Sequence, residues 1–174
     1  VTARPSFKAA WTLFGEVYQA GQSDADALAL VSAKIGGKVK YNIDDGTFAN
    51  ACPIRMSYVL NYSGVAMPAS DPGEGKIKAV TGADHKWYLF RVRDMMKILA
   101  TKFGAPDQEV KNPKSADFTG KRGIMAIVGH GWTDAIGHVS LWDGHYFSDK
   151  NHLSDSNVNG PFVPEVARMW NLPA

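Results

Sequence analysis

A 174-residue chain with one cysteine cannot close an intramolecular disulfide, so packing alone must hold its fold together. No apolar run is as long as a bilayer span, which argues against membrane insertion. The visible start, Val1-Thr-Ala-Arg-Pro-Ser-Phe7, has no initiator Met and does not read as a signal peptide. Charge of either sign is scarce in excess: 19 Lys and Arg face 17 Asp and Glu, a formal net charge of +2. That gives no footprint for nucleic acid, while a pI near 8.6 suits an acidic polymer. Each Gly-Lys pair is followed by Val39, Ile77 or Arg122, so no phosphate loop of the G-x-x-x-x-G-K-[ST] type exists. A G-x-S-x-G elbow and an H-E-x-x-H zinc motif are also missing. His138, His145 and His152 recur at intervals of seven, but a turn between the first two argues against a shared zinc.

What is present centres on the lone cysteine. Cys52 stands directly before Pro53 and a run, Ile54 to Tyr62, that reads as an amphipathic helix. Proline is best tolerated at the first helical position, which places Cys52 at or beside the N-cap. There a sulfur faces unpaired backbone N–H groups and the positive end of the helix dipole, both of which favour negative charge. Met56, Val59 and Leu60 follow at i+4, i+7 and i+8, so the sulfur shares the face that must be buried. Gly64 marks the helix end. A free cysteine is more commonly a small buried hydrophobe, and the choice between the two readings turns on whether the chain also supplies a base.

Asp143-Gly144, between Val139-Ser-Leu-Trp142 and His145-Tyr-Phe-Ser148, is a two-residue hairpin signature. A turn there pairs Trp142 with His145, Leu141 with Tyr146, Ser140 with Phe147, and His138 with Asp149. Directly opposed residues share a face with Cβ atoms about 4.5–5.5 Å apart, so Asp149 is placed to orient the His138 ring. That is the base-and-orienter half of a Cys-His-Asp triad. Asp134 is the alternative orienter, while His85 and His130 receive no role. The bland alternatives are a structural histidine and a solvated strand-end carboxylate.

Around this pair, Ser6 precedes Phe7, Trp11, Phe14 and Tyr18 at helical spacing, a stripe that reads as core. Ser23 to Ile35 reads as a second helix closed by Gly36-Gly37, and Arg93 to Phe103 as another closed by Gly104. Pro68 to Gly82, with Asp71-Pro-Gly-Glu-Gly75, reads as a long loop; Lys111 to Ser115 is turn-rich; Gly123 to Gly129 looks like a buried strand. Ser154 to Pro161 reads as a polar connection to a short C-terminal segment. No internal repeat is visible. Helices first and antiparallel strands later predict one α+β domain over 1–174, its nucleophile helix packed on the sheet that carries the base.

Asn50-Ala-Cys-Pro-Ile-Arg-Met-Ser-Tyr-Val-Leu-Asn-Tyr62, Gly82-Ala-Asp-His-Lys-Trp-Tyr88, Phe118-Thr-Gly-Lys-Arg-Gly-Ile124 and Gly131-Trp-Thr-Asp-Ala-Ile-Gly-His-Val-Ser-Leu-Trp142 resemble the type VI secretion amidase effectors, family 4. The matching blocks fall in the family's order over roughly residues 5 to 150. The resemblance implies a papain-like cell-wall amidase fold and a triad of Cys52, His138 and Asp149. It also implies cleavage between D-glutamate and meso-diaminopimelate in the peptide stem of Gram-negative peptidoglycan. Such an effector leaves the producer's cytoplasm through the type VI apparatus, acts in a rival's periplasm and is neutralised at home by a cognate immunity protein. After Asp149 the match weakens, since members with further cysteines there form a local disulfide that this chain cannot.

The mechanism expected on this basis needs no metal or organic cofactor. Cys52 attacks, His138 relays the proton, Asp149 holds the tautomer, and the Cys52 backbone N–H is the expected oxyanion donor. A cysteine hydrolase or transpeptidase acting on another cell-wall bond, and a non-catalytic wall-binding module, stand as the alternatives.

Overall fold

Ser6 and Ser23 open the first two helices as the sequence predicts. The computed structural model describes residues 1–73 and 76–174. Ser6 Oγ accepts from the Ala9 N–H at 3.2 Å ahead of α1 (Phe7–Phe14), and Ser23 Oγ from the Asp26 N–H at 3.1 Å ahead of α2 (Asp24–Ile35). The aromatic stripe splits at the end of α1: Phe14 enters the core, whereas Tyr18, beyond the helix, lines a cleft. Gly36-Gly37 does more than close α2, because α3 (Gly37–Asp44) starts at once. Gly37 has φ +60, and a Cβ there would lie 2.5 Å from the Gly82 carbonyl carbon, so glycine is required by both backbone and space.

The central element is α4 (Cys52–Tyr62). Its residues from Cys52 to Leu60 are all buried, so the amphipathic reading was too narrow. Met56, Val59 and Leu60 pack with α1 and the sheet, as the spacing predicts, while Ile54 and Tyr58 pack on the opposite side with α2 and α3. The polar residues that made this second side look solvated are satisfied internally. Ser57 Oγ donates to the Pro53 carbonyl at 2.8 Å and accepts from the Leu89 N–H at 2.9 Å, and the Tyr58 hydroxyl donates to Glu16 Oε2 at 2.5 Å.

The predicted loop from Pro68 to Gly82 ends early, because β1 (Ala79–Thr81) pairs antiparallel with β2 (Trp87–Leu89); Glu74 and Gly75 of that segment lie outside the described residues. After α5 (Val92–Phe103) come β3 (Gln108–Lys111), a 3₁₀ turn at Ser115–Phe118, β4 (Gly123–His130), β5 (Gly137–Trp142) and β6 (Val163–Asn171). The last four strands form an antiparallel sheet in the order β3-β6-β4-β5. β6, which the sequence reading reduced to a short segment, is nine residues long and lies inside the sheet between β3 and β4. One face of the sheet, with Ile124, Ala126, Val139 and Leu141, meets α4. The other, with Met125, Ile127 and Trp142, is covered by Phe118, Phe147, Leu153 and Phe162. This period-two division is what a sheet buried on both faces requires.

The predicted hairpin needs correction. The ladder partner of β5 is β4, and residues 145–148 join β5 through a single bridge, Trp142 with Phe147. The Asp143 N–H donates to the Tyr146 carbonyl at 3.0 Å and the Ser148 N–H to the Leu141 carbonyl at 2.9 Å, so the arms sit two residues away from the expected register. Asp143 itself causes the shift. Its Oδ1 accepts from the His145 and Tyr146 N–H groups at 2.8 and 2.7 Å, which makes Asp143 the residue before the turn and leaves Gly144, at φ +108, and His145 as the turn itself.

Candidate active site

Cys52 is the first residue of α4, with Ala51 as N-cap and Pro53 one position later than expected. β5 is the edge strand of the sheet, so His138 near its start is not walled off by a further strand and meets the N-terminal end of α4. The His138 Nε2 and Asp149 Oδ1 atoms are 3.0 Å apart. A two-residue slip moved Asp149 from the opposed to the diagonal position but kept it on the same face, because side chains alternate with period two. With Nε2 engaged by Asp149, the other ring nitrogen is left for the sulfur of Cys52, which lines the same cleft and acts on the His138 titration. The three sequence-predicted residues therefore come together in one buried line.

Their charges reinforce one another. Burial alone would lower the His138 pKa, but the charges of Asp149 and Cys52, with a hydrogen bond to each, outweigh it and push the ring up to about 10. Burial would raise Asp149; the His138 charge and hydrogen bond, helped by the charge of Arg55, hold it below the ordinary carboxylate value. Asp149 Oδ2 is buried with no hydrogen-bond partner among the described residues. Asp134, the alternative orienter, lines the cleft but makes no hydrogen bond to His138 among the described residues.

The relay forms the floor of a cleft of about 450 Å³. Its lining adds residues that the sequence reading left without a role. Asn50 Oδ1 accepts from the Cys52 N–H at 3.1 Å. The expected oxyanion donor is therefore already engaged, and Asn50, whose Nδ2 has no hydrogen-bond partner among the described residues, lines the cleft. The carboxamide orientation follows from this bond, since a flipped amide would set N–H against N–H. An Asn two residues before a helix start is a local Asx signature, and that signal was available in the sequence.

His152, considered only as a metal ligand, packs its ring against His138 with centroids 4.7 Å apart. Burial and the positive charge of His138 push it down to about 4, and its Nδ1 lies 3.1 Å from Asn159 Oδ1. Trp132 stacks on Phe162 at 4.0 Å and meets His152 edge-on, forming an aromatic wall. His145 lies exposed in the turn, His85 is in the β1–β2 connection, and His130 pairs with Glu165 on the surface. Among the described residues, no group of three or more His, Cys, Asp or Glu is placed to hold a metal. Chemically, a buried sulfur nucleophile, a charged imidazole and an orienting carboxylate at the base of a groove can carry out acyl transfer.

The sequence model of a family described as type VI secretion system amidase effector protein 4 matches residues 48–168. No curated protein matches the chain. Among solved structures, the chain is similar to the effector Tae4 from Salmonella typhimurium, crystallised with the immunity protein Tai4 from Enterobacter cloacae: 49% identity over 98% of this chain and 100% of that one, TM-score 0.85. The Tae4–Tai4 effector–immunity complex from Enterobacter cloacae aligns at 47% identity over 97% and 99% of the two chains, TM-score 0.83. Tae4 from Enterobacter cloacae alone aligns at 46% over 99% of each, TM-score 0.81.

Proposed function

Because the chain belongs to the type VI secretion amidase effector 4 family, we propose that its amidase reaction is cleavage of the D-glutamyl to meso-diaminopimelate bond in Gram-negative peptide stems, carried out by Cys52, His138 and Asp149. The observation that carries this reading is the buried line from sulfur to imidazole to carboxylate at the base of the cleft. Residues from Tyr18 to Val158 contribute to that cleft, which supports treating 1–174 as one catalytic domain.

In the mechanism, the Cys52 thiolate attacks the γ-carbonyl carbon of D-glutamate while the thiol proton resides on His138. The tetrahedral oxyanion takes a hydrogen bond from Asn50 Nδ2. Collapse breaks the C–N bond, and the His138 imidazolium gives its proton to the departing amine of diaminopimelate. A water molecule, deprotonated by the same ring, then attacks the thioester and releases the D-glutamyl carboxylate and the free thiol. Asp149 holds the ring orientation and stabilises its positive form throughout.

As an antibacterial effector of this family, the protein acts on the wall of a target cell, which places its work in the periplasm. Among the described residues, no helix is long and apolar enough to cross a membrane. A cognate immunity protein that covers the cleft accounts for self-protection in the producer, and the crystallised Tae4–Tai4 pairs support such a partner.

Digestion of purified Gram-negative sacculi, with mass spectrometry of the released muropeptides, tests the reading. The expected products end in D-glutamate on one side and begin with diaminopimelate on the other. Cys52→Ala is expected to release none of them. Products cut at another bond would instead identify a related wall hydrolase or transpeptidase.

A further inference from the structure

Arg55 lies one helical turn after Cys52 on α4 and lines the same cleft. The residue is only 8% exposed, its Nε is buried without a partner, and among the described residues its guanidinium donates to no oxygen and pairs with no carboxylate. The other five arginines differ from it. Arg4 pairs with Asp107, Arg91 and Arg93 with Asp94, Arg122 with the Asp143 carbonyl, and Arg168 with Glu109. Arg55 instead lies with its guanidinium carbon 5.1 Å from the Tyr18 ring centroid, and its charge reaches Asp149 without a hydrogen bond between them.

A buried guanidinium that lacks an oxygen partner is costly to keep, and its planar fork matches a carboxylate in two-point contact. We propose that Arg55 is the receptor for a substrate carboxylate, the free α-carboxylate of the D-glutamyl residue whose γ-carbonyl Cys52 attacks. This rests on the cleavage site proposed above. That carboxylate is joined to the scissile carbonyl carbon through four bonds. Residues three apart on a helix hold their Cβ atoms about 5–6 Å apart, so a group attacked at Cys52 brings its own carboxylate within reach of Arg55. The carboxylate stays on the acyl half, so Arg55 grips the thioester through both chemical steps. Tyr18 supplies the flat surface that keeps the fork aimed at the cleft.

The test compares three synthetic stem peptides on the unmodified enzyme: the free D-glutamyl α-carboxylate, the same peptide with that group amidated, and one amidated instead on the free carboxylate of diaminopimelate. Amidation at D-glutamate is expected to lower kcat/KM by about 10- to 100-fold, the range for losing a charge-assisted hydrogen bond. Amidation at diaminopimelate is expected to change it little. Arg55→Gln should cleave the carboxylate and carboxamide stems at one equal, low kcat/KM, and Arg55→Lys should restore part of the preference. A purely structural arginine would lower both substrates alike and leave their ratio intact. Equal cleavage of both D-glutamyl forms by the unmodified enzyme overturns the inference while leaving the cleavage site standing. Sensitivity to the diaminopimelate amide alone overturns it as well. Failure to cut any of the stems between D-glutamate and diaminopimelate removes the cleavage-site reading and this assignment with it.

Discussion

His138 and His152 meet edge to face, centroids 4.7 Å apart and planes at 70°, yet their surroundings push their pKa values in opposite directions. Asp149 and Cys52 keep the first ring positive, and burial beside that positive ring keeps the second neutral. These opposed shifts favour keeping a shared proton on His138 rather than on His152.

NMR titration of the histidine rings is expected to find His138 as imidazolium until pH approaches about 10 and His152 neutral until about 4. The folded pKa of His138 lies above its ordinary 6.5, so its contribution to stability is full below that value and is lost as pH rises through about 10. His152 acts at the acid end. The unfolded ring takes a proton that the folded one refuses, so stability falls as pH drops from 6.5 towards 4. Asp149, whose folded value is depressed, adds stability above its unfolded pKa and loses it below, as pH falls through the folded value. Thermal unfolding across pH should show both edges. A His138 ring that titrates near 6.5 in the intact protein would contradict the charged relay.

Ser57 ties the nucleophile helix to β2 through the Pro53 carbonyl and the Leu89 N–H. Ser57→Ala removes the acceptor and leaves a buried N–H with no partner, at a cost of about 1–3 kcal/mol. Urea unfolding is expected to show that loss. Because no contact to His138 or Asp149 is broken, turnover under native conditions should stay near that of the parent protein.

Gly137→Ala should act on both stability and turnover. A Cβ there would lie 1.9 Å from the Ile127 carbonyl oxygen, so β5 must move away from β4 at the residue next to His138. Overpacking of this kind costs about 1–3 kcal/mol. The displaced imidazole should also lower kcat, measured on a purified stem peptide. Unchanged stability and unchanged kcat would mean that the strand end gives way freely.

Much of the site was legible because it is written in local chemistry. Cys52 before Pro53 marks a helix start, and Asp143-Gly144 marks a chain reversal that brings Asp149 back to His138. The register was misjudged by two residues because the Asp143 carboxylate, rather than the dipeptide pattern, decides where the turn sits. The shift was harmless to the site because it preserved the face. α3 and β6 were missed for a different reason. α3 buries only Val39 and Ile43, and β6 mixes exposed and buried positions beside a bulge at Val128/Gly129, so neither carries a clean period. Arg55 was invisible as a site residue because a charge in an amphipathic helix ordinarily faces water, whereas α4 is buried all round from Cys52 to Leu60 and Arg55 lies against the Tyr18 ring.

Asp149→Asn keeps a hydrogen-bonding group but removes the charge and can hold the wrong tautomer; Asp149→Ala removes the partner. Both should lower turnover, by less than His138→Ala does, because a thiol needs less help from its base than a hydroxyl. Asp134→Ala should leave turnover nearly intact, since Asp134 makes no hydrogen bond to the ring among the described residues. Kinetics of the four variants on one muropeptide decide the assignment. Full activity in both Asp149 variants, with Asp134→Ala inactive, would overturn it.

Asn50 allows a sharper separation of two oxyanion donors. Its Oδ1 holds the Cys52 N–H and the residue lines the cleft, so one side chain occupies the backbone donor and carries, in Nδ2, another. Asn50→Asp keeps the acceptor for the Cys52 N–H but places a negative oxygen where the amide protons were. Asn50→Ala removes both groups and releases the backbone N–H to the oxyanion. If Nδ2 is the donor, kcat should fall by about 10²- to 10³-fold in Asn50→Ala, the usual cost of one such donor, and further in Asn50→Asp, where charge repels charge. KM should change little, because the ground-state carbonyl carries no full charge for the donor to meet. Should Asn50→Ala match or exceed the parent enzyme while Asn50→Asp loses activity, the liberated Cys52 N–H is the working donor and Asn50 only caps it.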